Sequence, residues 1–430
     1  MIASTFWFSP ASSEVSSSRI SLDFGLRSAD FFFRELVVPE LGRIWFVRQF
    51  SWPLASLALH ESMQNQGSNA PRPTAICHGI EALACKLAYQ INPQGPFERI
   101  LGSRAFGRDP EMRVRSFQQL RQPSNYVRNT HRQAATRAIR QDGGLGFATG
   151  TRFDLLDLEP VGRALAEAFL DQRVGLGGTS LRKWLLGWLR DEQELPGWSD
   201  TLARALVPER PTSEERELVR SRVLDTRTPE CATRQHLAPA IGRAADLPDI
   251  RSVVVPRLRD AGHRKQADEV IAALAFGAVL DRARDATADL TQAVDAARGG
   301  VPAATLARDA AIRKSLGGLR AAAKNFSSKV STVGITEPTS RVFVDALLGR
   351  DDELQTIRFL VGRVAQVLCL SDDSVHRGAL FRVVDQSESL DGLEEGAASI
   401  EPDRTNRTGR TFRIANLHSL LRDVVQRGAA

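Results

Sequence analysis

Cysteine is scarce in this chain: Cys77, Cys85, Cys231 and Cys369 are the only four in 430 residues, spaced too widely for a disulfide scaffold. They fit a reducing cytoplasm better than a secreted environment. No run of about 18 apolar residues occurs, so no membrane-spanning helix is expected. No basic residue precedes Arg19, so the start lacks the layout of a secretory signal peptide. Catalytic signatures are missing as well. There is no G-x-S-x-G, no H-E-x-x-H, no kinase set and no P-loop lysine. The expectation is a non-enzymatic protein with no cofactor and no metal.

Lysine is nearly absent too: six residues against 51 arginines. Such a ratio reflects base composition of the genome more than function, so arginine richness alone carries little meaning. What remains is ordinary for a folded protein, with 42% apolar and 25% charged residues. Collagen-like, fibrous and wholly disordered chains are excluded, and the length corresponds to about three domains.

Acidic residues are few in one place. Eleven arginines lie between Arg99 and Arg152, with only Asp109, Glu111 and Asp142 against them. That stretch carries +8 in a chain of net charge +6, so the remainder carries −2. A local excess of this size is the footprint of a phosphate-binding surface or of a merely solvated basic face.

The pattern is mainly helical. It divides into an N-terminal helical block (1–100), a basic winged-helix-like domain (101–172), a helical domain with a long hairpin (173–371), and a polar segment with a closing helix (372–430). Gln266 to Arg298 is the clearest long helix. Gly299-Gly300 ends it, and Ala303 to Phe326 can run back against it. Asp372 to Arg410 reads as a flexible excursion, and Ile414 to Gln426 as a short amphipathic helix. The serine-rich first 20 residues read as a loose arm.

The basic domain carries the functional argument. Ser124 to Asp142 predicts one helix, capped by Ser124 and stopped by Gly143-Gly144. At about 100° per residue, Asn125, Arg128, Asn129, Arg132, Gln133, Thr136, Arg137 and Arg140 share one half-circle. Val127, Ala134, Ala135, Ala138, Ile139 and His131 take the other, with His131 read as a core histidine. Guanidinium and amide groups on one helix face suit phosphates and base edges in a major groove. A short extended pair follows around Ala148-Thr149-Gly150-Thr151-Arg152, and then a helix opened by Pro160. Helix, two-stranded wing and Pro-initiated helix form the back half of a winged helix-turn-helix, with Arg152 on the wing.

Other constellations carry less. Gly175-Leu176-Gly177-Gly178-Thr179-Ser180 reads as a loop and helix cap. Leu181, Trp184, Leu185 and Trp188 recur at helical spacing, so Trp184 and Trp188 are core or a partner-binding face. His60, Cys77, His78 and Cys85 lack the paired spacing of zinc ligands. Asp154, Asp157 and Glu159 resemble a nuclease carboxylate cluster but lack a neighbouring lysine. Asp372, Asp373 and His376 read as a polar helix end.

Two resemblances add to this reading. Leu158-Glu159-Pro160-Val161-Gly162-Arg163-Ala164-Leu165 resembles the L-T-P-x-G-x-A-L stretch that follows the wing in bacterial winged-helix proteins, with Glu159 at the Thr position. Leu22-Asp23-Phe24-Gly25-Leu26, Pro39-Glu40-Leu41-Gly42-Arg43, Arg48-Gln49-Phe50 and Phe412-Arg413-Ile414-Ala415-Asn416 resemble uncharacterised, mostly helical bacterial proteins encoded near phage-defence genes. That resemblance implies a role against foreign DNA as one subunit of a multi-gene system, and it transfers no catalytic residue. The combined expectation is a DNA-binding or adaptor subunit whose partners are double-stranded DNA and other subunits of a defence or DNA-processing complex. The alternatives are a scaffold that docks a partner ATPase or nuclease without touching DNA, and a metal-dependent nuclease.

Overall fold

The computed structural model describes residues 22, 24–95, 99–109, 113–174, 178–192, 200–225, 228–297, 299–379 and 410–425. The serine-rich arm, Gly175 to Gly177 and most of the polar excursion lie outside them. The described chain is mainly α-helical, as the sequence predicts.

Three helices build the N-terminal block: α1 (Arg27–Val37), α2 (Arg48–Asn65) and α3 (Pro73–Ile91). Every residue of α2 from Arg48 to Leu59 is buried, which makes it a central helix wrapped on all sides. Pro73 opens α3 at the first helical position, where its missing N–H costs nothing. Two single turns follow, α4 (Ser103–Phe106) and α5 (Phe117–Leu120), the latter fixed by a Ser116/Gln119 capping box.

The basic segment departs from expectation. Residues 124–142 do not form one helix. A 3₁₀ turn spans Pro123–Asn125, and the helix α6 covers only His131–Ala135. Tyr126 is non-helical (φ −142°, ψ −111°), because its ring is buried against Phe106 and His78. Downstream the chain reverses at Gly143-Gly144. The N–H groups of Leu145, Gly146 and Phe147 then bond the carbonyls of Ala138, Arg140 and Ile139. Those carbonyls are thereby taken from any continuing helix.

The hairpin does form. β1 (Ala148–Thr149) pairs antiparallel with β2 (Asp157–Leu158), shorter than the expected strands because Phe153–Leu155 is a 3₁₀ turn. Next comes α7 (Pro160–Leu170), begun by proline as expected. Gly162 is required there: a Cβ would sit 1.9 Å from the Phe147 carbonyl oxygen, so only glycine lets α7 approach the hairpin. The wing-like hairpin thus stands beside a one-turn helix, not a long recognition helix.

A second small pair, β3 (Arg173–Val174) with β4 (Thr179–Ser180), leads into α8 (Leu181–Leu189), whose N-terminus Ser180 caps. Helices α9 (Asp200–Leu206), α10 (Ser213–Leu224), α11 (Pro229–Ile241) and α12 (Val255–Asp260) follow. The long helix is α13 (Arg264–Ala296), 33 residues and so about 50 Å. Its buried alanines let α15 (Ala310–Val333) pack back along it, after β5 (Val301–Pro302) and α14 (Ala303–Leu306). Phe276 meets Phe326 across this helical hairpin.

Helices α16 (Pro338–Leu348) and α17 (Glu353–Arg363) precede β6 (Leu368–Ser371) and β7 (Ser374–Arg377). These strands form a three-stranded sheet in the order β5-β7-β6. Asp372 and Asp373 are therefore the hairpin turn, both at positive φ, and His376 lies in β7, not at a helix end. Finally α18 (Ile414–Val425) packs on α10 and α11. Its buried Asp423 accepts the Val47 N–H and pairs with Arg99, both at 2.8 Å, which ties the last helix to the first block.

Arg48 is another tie. Fully buried, it donates to the carbonyls of Ala205, Val207 and Arg210 and pairs with buried Glu215 at 3.4 Å. One continuous core runs from Leu22 to Val424.

Candidate nucleic-acid interface

Helix α6 is positioned by a carboxylate from another element. Glu81 of α3 is fully buried and accepts the N–H groups of His131 at 2.9 Å and Arg132 at 2.6 Å. These are the first two orphan donors of α6, satisfied here in trans. The Cys77 thiol donates to the same carboxyl at 3.4 Å. Glu81 makes no ion pair among the described residues. Burial pushes its carboxyl up to about 7, although these hydrogen bonds and the Arg132 charge pull downward. His131 is a core histidine, its ring edge-on to Phe46 at 5.2 Å and tilted against Trp52 at 5.6 Å. Burial drops its pKa to about 3.

Because residues 126–130 are not helical, the expected face is dispersed. The Asn125 amide donates to the Gln119 carbonyl, Gln133 accepts the Thr130 N–H, and the Thr136 hydroxyl donates to the Arg132 carbonyl. Arg137 lies over Phe31 at 4.2 Å, 3.8 Å from Glu35, and donates to Gly143. Those four side chains brace the fold. Asn129 and Arg140 are half-buried, and Arg128 is exposed with no ion pair among the described residues. Ala135, Ala138 and Ile139 are buried, so the apolar half is where the sequence put it.

Two predicted residues do come together. Arg132 and Arg152 line a cleft of about 510 Å³, and Arg72, just ahead of α3, joins them. Neither the Arg72 nor the Arg152 side chain has a hydrogen bond or ion pair among the described residues, and both residues are exposed. The Arg132 guanidinium lies 5.0 Å from the Phe153 ring centroid, and its Nε is buried without a partner. Asp154 is the cleft's one acid, and it is occupied. It accepts both the N–H (2.7 Å) and the hydroxyl (2.5 Å) of Thr74, capping α3. His60 from α2 completes one wall. Its Nδ1 donates to the Pro71 carbonyl at 2.8 Å, which leaves Nε2 as the ring's other polar atom. Three arginines against one carboxylate leave the cleft an excess positive charge that a bound anion relieves.

Arg72 escaped sequence reasoning, and His60 entered it only as a zinc-ligand candidate. Pro71-Arg72-Pro73 reads as a loop, and nothing local connects it to a hairpin 80 residues on.

The other candidate residues separate. Asp154 is committed to Thr74, while Asp157 is exposed on β2 and Glu159 precedes α7, so Asp154 is no open metal ligand. Cys77 and Cys85 are buried in α3, and the His78 ring packs on Tyr126 at 5.3 Å. Trp188 is fully buried, edge-on to Phe117 at 5.4 Å, and donates from Nε1 to the Arg115 carbonyl. It is core and unavailable to a partner. Trp184 stacks on it at 6.1 Å and stays half-buried. No described helix is long and apolar enough to cross a membrane.

In comparisons with known proteins, no family model, no curated protein and no solved structure matches the chain.

Proposed function

We propose that the protein is a non-enzymatic DNA-binding or adaptor subunit of a bacterial DNA-directed system, cytoplasmic, with anti-phage defence as the setting its sequence resemblance implies. It grips the phosphate backbone of DNA through Arg72, Arg128, Arg132 and Arg152 around the hairpin. The observation that supports this is three arginines, none ion-paired, lining one cleft whose single carboxylate is already engaged. Phosphate is the anion that arginine's planar fork suits best. Base reading by an inserted helix is not part of the proposal, because α6 is one turn long.

Four phosphate contacts give a log–log salt slope of about −3 to −4 for duplex DNA. Fluorescence anisotropy with a labelled duplex from 50 to 300 mM salt measures it. Replacing Arg72 and Arg152 together with glutamine lowers the slope by about 2. A salt-independent affinity, or no binding at all, overturns the proposal. A stoichiometric protein partner required for any DNA binding would assign the chain the scaffold role instead, with half-buried Trp184 on its docking helix.

A further inference from the structure

The cleft is concave, and an internal backbone diester does not need concavity. Duplex backbone runs past a protein as a line of single charges spaced along a groove. Here three arginines line one open cleft of about 510 Å³, within the size range of sites that hold small molecules. Counting Asp154 against Arg72, Arg132 and Arg152 leaves +2. A phosphomonoester carries close to two negative charges and three strong acceptor oxygens, where a diester carries one charge. The buried Arg132 Nε lacks an acceptor. At the rim, Leu155 is 67% exposed and offers apolar surface beside Phe153. Arginine and apolar side chains lining one cleft together suit a phosphate with a nucleoside attached.

We propose that the Arg72/Arg132/Arg152 cleft receives a terminal nucleotide phosphomonoester, so that the protein recognises a phosphorylated DNA end in preference to continuous duplex. This rests on the DNA-binding reading given above and deepens it. The same chemistry is offered by a free nucleoside monophosphate, and the experiment separates the two sources.

The test is anisotropy at fixed ionic strength with one duplex sequence in three forms: 5′-phosphorylated, 3′-phosphorylated and hydroxyl-ended. Deoxynucleoside monophosphate is added as competitor. At least one phosphorylated form is expected to bind about tenfold more tightly than the hydroxyl-ended duplex. Arg72→Gln with Arg152→Gln, both exposed and outside the packed core, abolishes that difference while thermal melting stays unchanged. Competition by micromolar mononucleotide with no preference among ends keeps the phosphomonoester chemistry and assigns it to free nucleotide. Equal affinity for all ends, with no competition, overturns the inference and leaves backbone binding standing. No binding of any duplex overturns both.

Discussion

Replacing Glu81 with glutamine probes the joint that holds α6 and Arg132 in place. The carboxyl is fully buried, makes no ion pair among the described residues, and titrates near 7 in the folded chain against an ordinary value near 4.5. Between those values the native protein holds a proton that the unfolded chain has released. Stability from this group is therefore complete below pH 4.5 and falls as pH rises through 7, by about 3 kcal/mol in all. His78 and His131 act oppositely. Burial lowers them to about 4 and about 3, so their neutral forms stabilise the fold above pH 6.5, and that support is lost as pH falls. Both histidines are common to wild type and variant, so the difference between the two proteins isolates Glu81. Glutamine retains one acceptor for two N–H donors, a loss of about 1–3 kcal/mol at pH 5. From pH 5 to pH 8 the wild type then loses most of its 3 kcal/mol while the variant does not, and the gap closes or reverses. Urea unfolding of both proteins at several pH values measures this directly. A gap that stays constant across the range would refute the buried, titrating carboxyl.

Further expectations concern packing and pH. Arg48→Ala strands Glu215 in the core and should cost about 3–5 kcal/mol by urea unfolding, whereas Arg48→Met, which leaves the same carboxylate unpaired but fills the space, should cost less. Gly162→Ala forces α7 off the Phe147 carbonyl, with a loss of about 1–3 kcal/mol or more and an earlier thermal midpoint. Ala135→Asp buries an unpaired charge in the core and should leave little folded protein by circular dichroism. From pH 6.5 to pH 4 the stability lost at His78 and His131 exceeds that gained at Glu81, so urea unfolding should show the wild type weakening on acidification, with the raised carboxyls of Glu40, Glu209 and Glu269 reducing the drop.

What the sequence disclosed was whatever short-range signals decide. Proline at 160, the glycine pair at 299–300 and the alanine periodicity of 266–298 each set an element by themselves. The Ser124–Asp142 helix failed for a long-range reason. Its wheel sorted polar from apolar correctly at Ala135, Ala138 and Ile139, yet Tyr126 is claimed by Phe106 and His78, and the reversing strand takes the carbonyls a helix would need. Charged residues misled in a second way. Nothing local marks Arg48, Glu81, Glu215 and Asp423 as buried, yet they form the polar skeleton of the core. Of the residues behind the phage-defence resemblance, Arg48, Glu40 and Arg413 all engage buried or half-buried partners, Glu40 with Arg234 and Arg413 with Glu35. They describe how the chain is held together more than what it binds. At the site, Arg132 and Arg152 were legible as basic residues, but the arrival of Arg72 depends on Asp154 capping α3, a contact 80 residues apart.

The clasp of Asp423 on Val47 and Arg99 also sets a clock for synthesis. During translation the first block emerges hundreds of residues before its partner, and the Val47 N–H and the Arg99 guanidinium must wait for a carboxylate 376 and 324 positions later. At about 5–20 residues per second, that delay lasts tens of seconds. Once α10 and α11 have emerged, the surface that α18 will cover stays uncovered until the chain is nearly finished. The nascent chain is therefore most vulnerable to proteases and to unwanted association late in its synthesis, and a ribosome stalled before residue 423 releases a block that has its helices but not its latch.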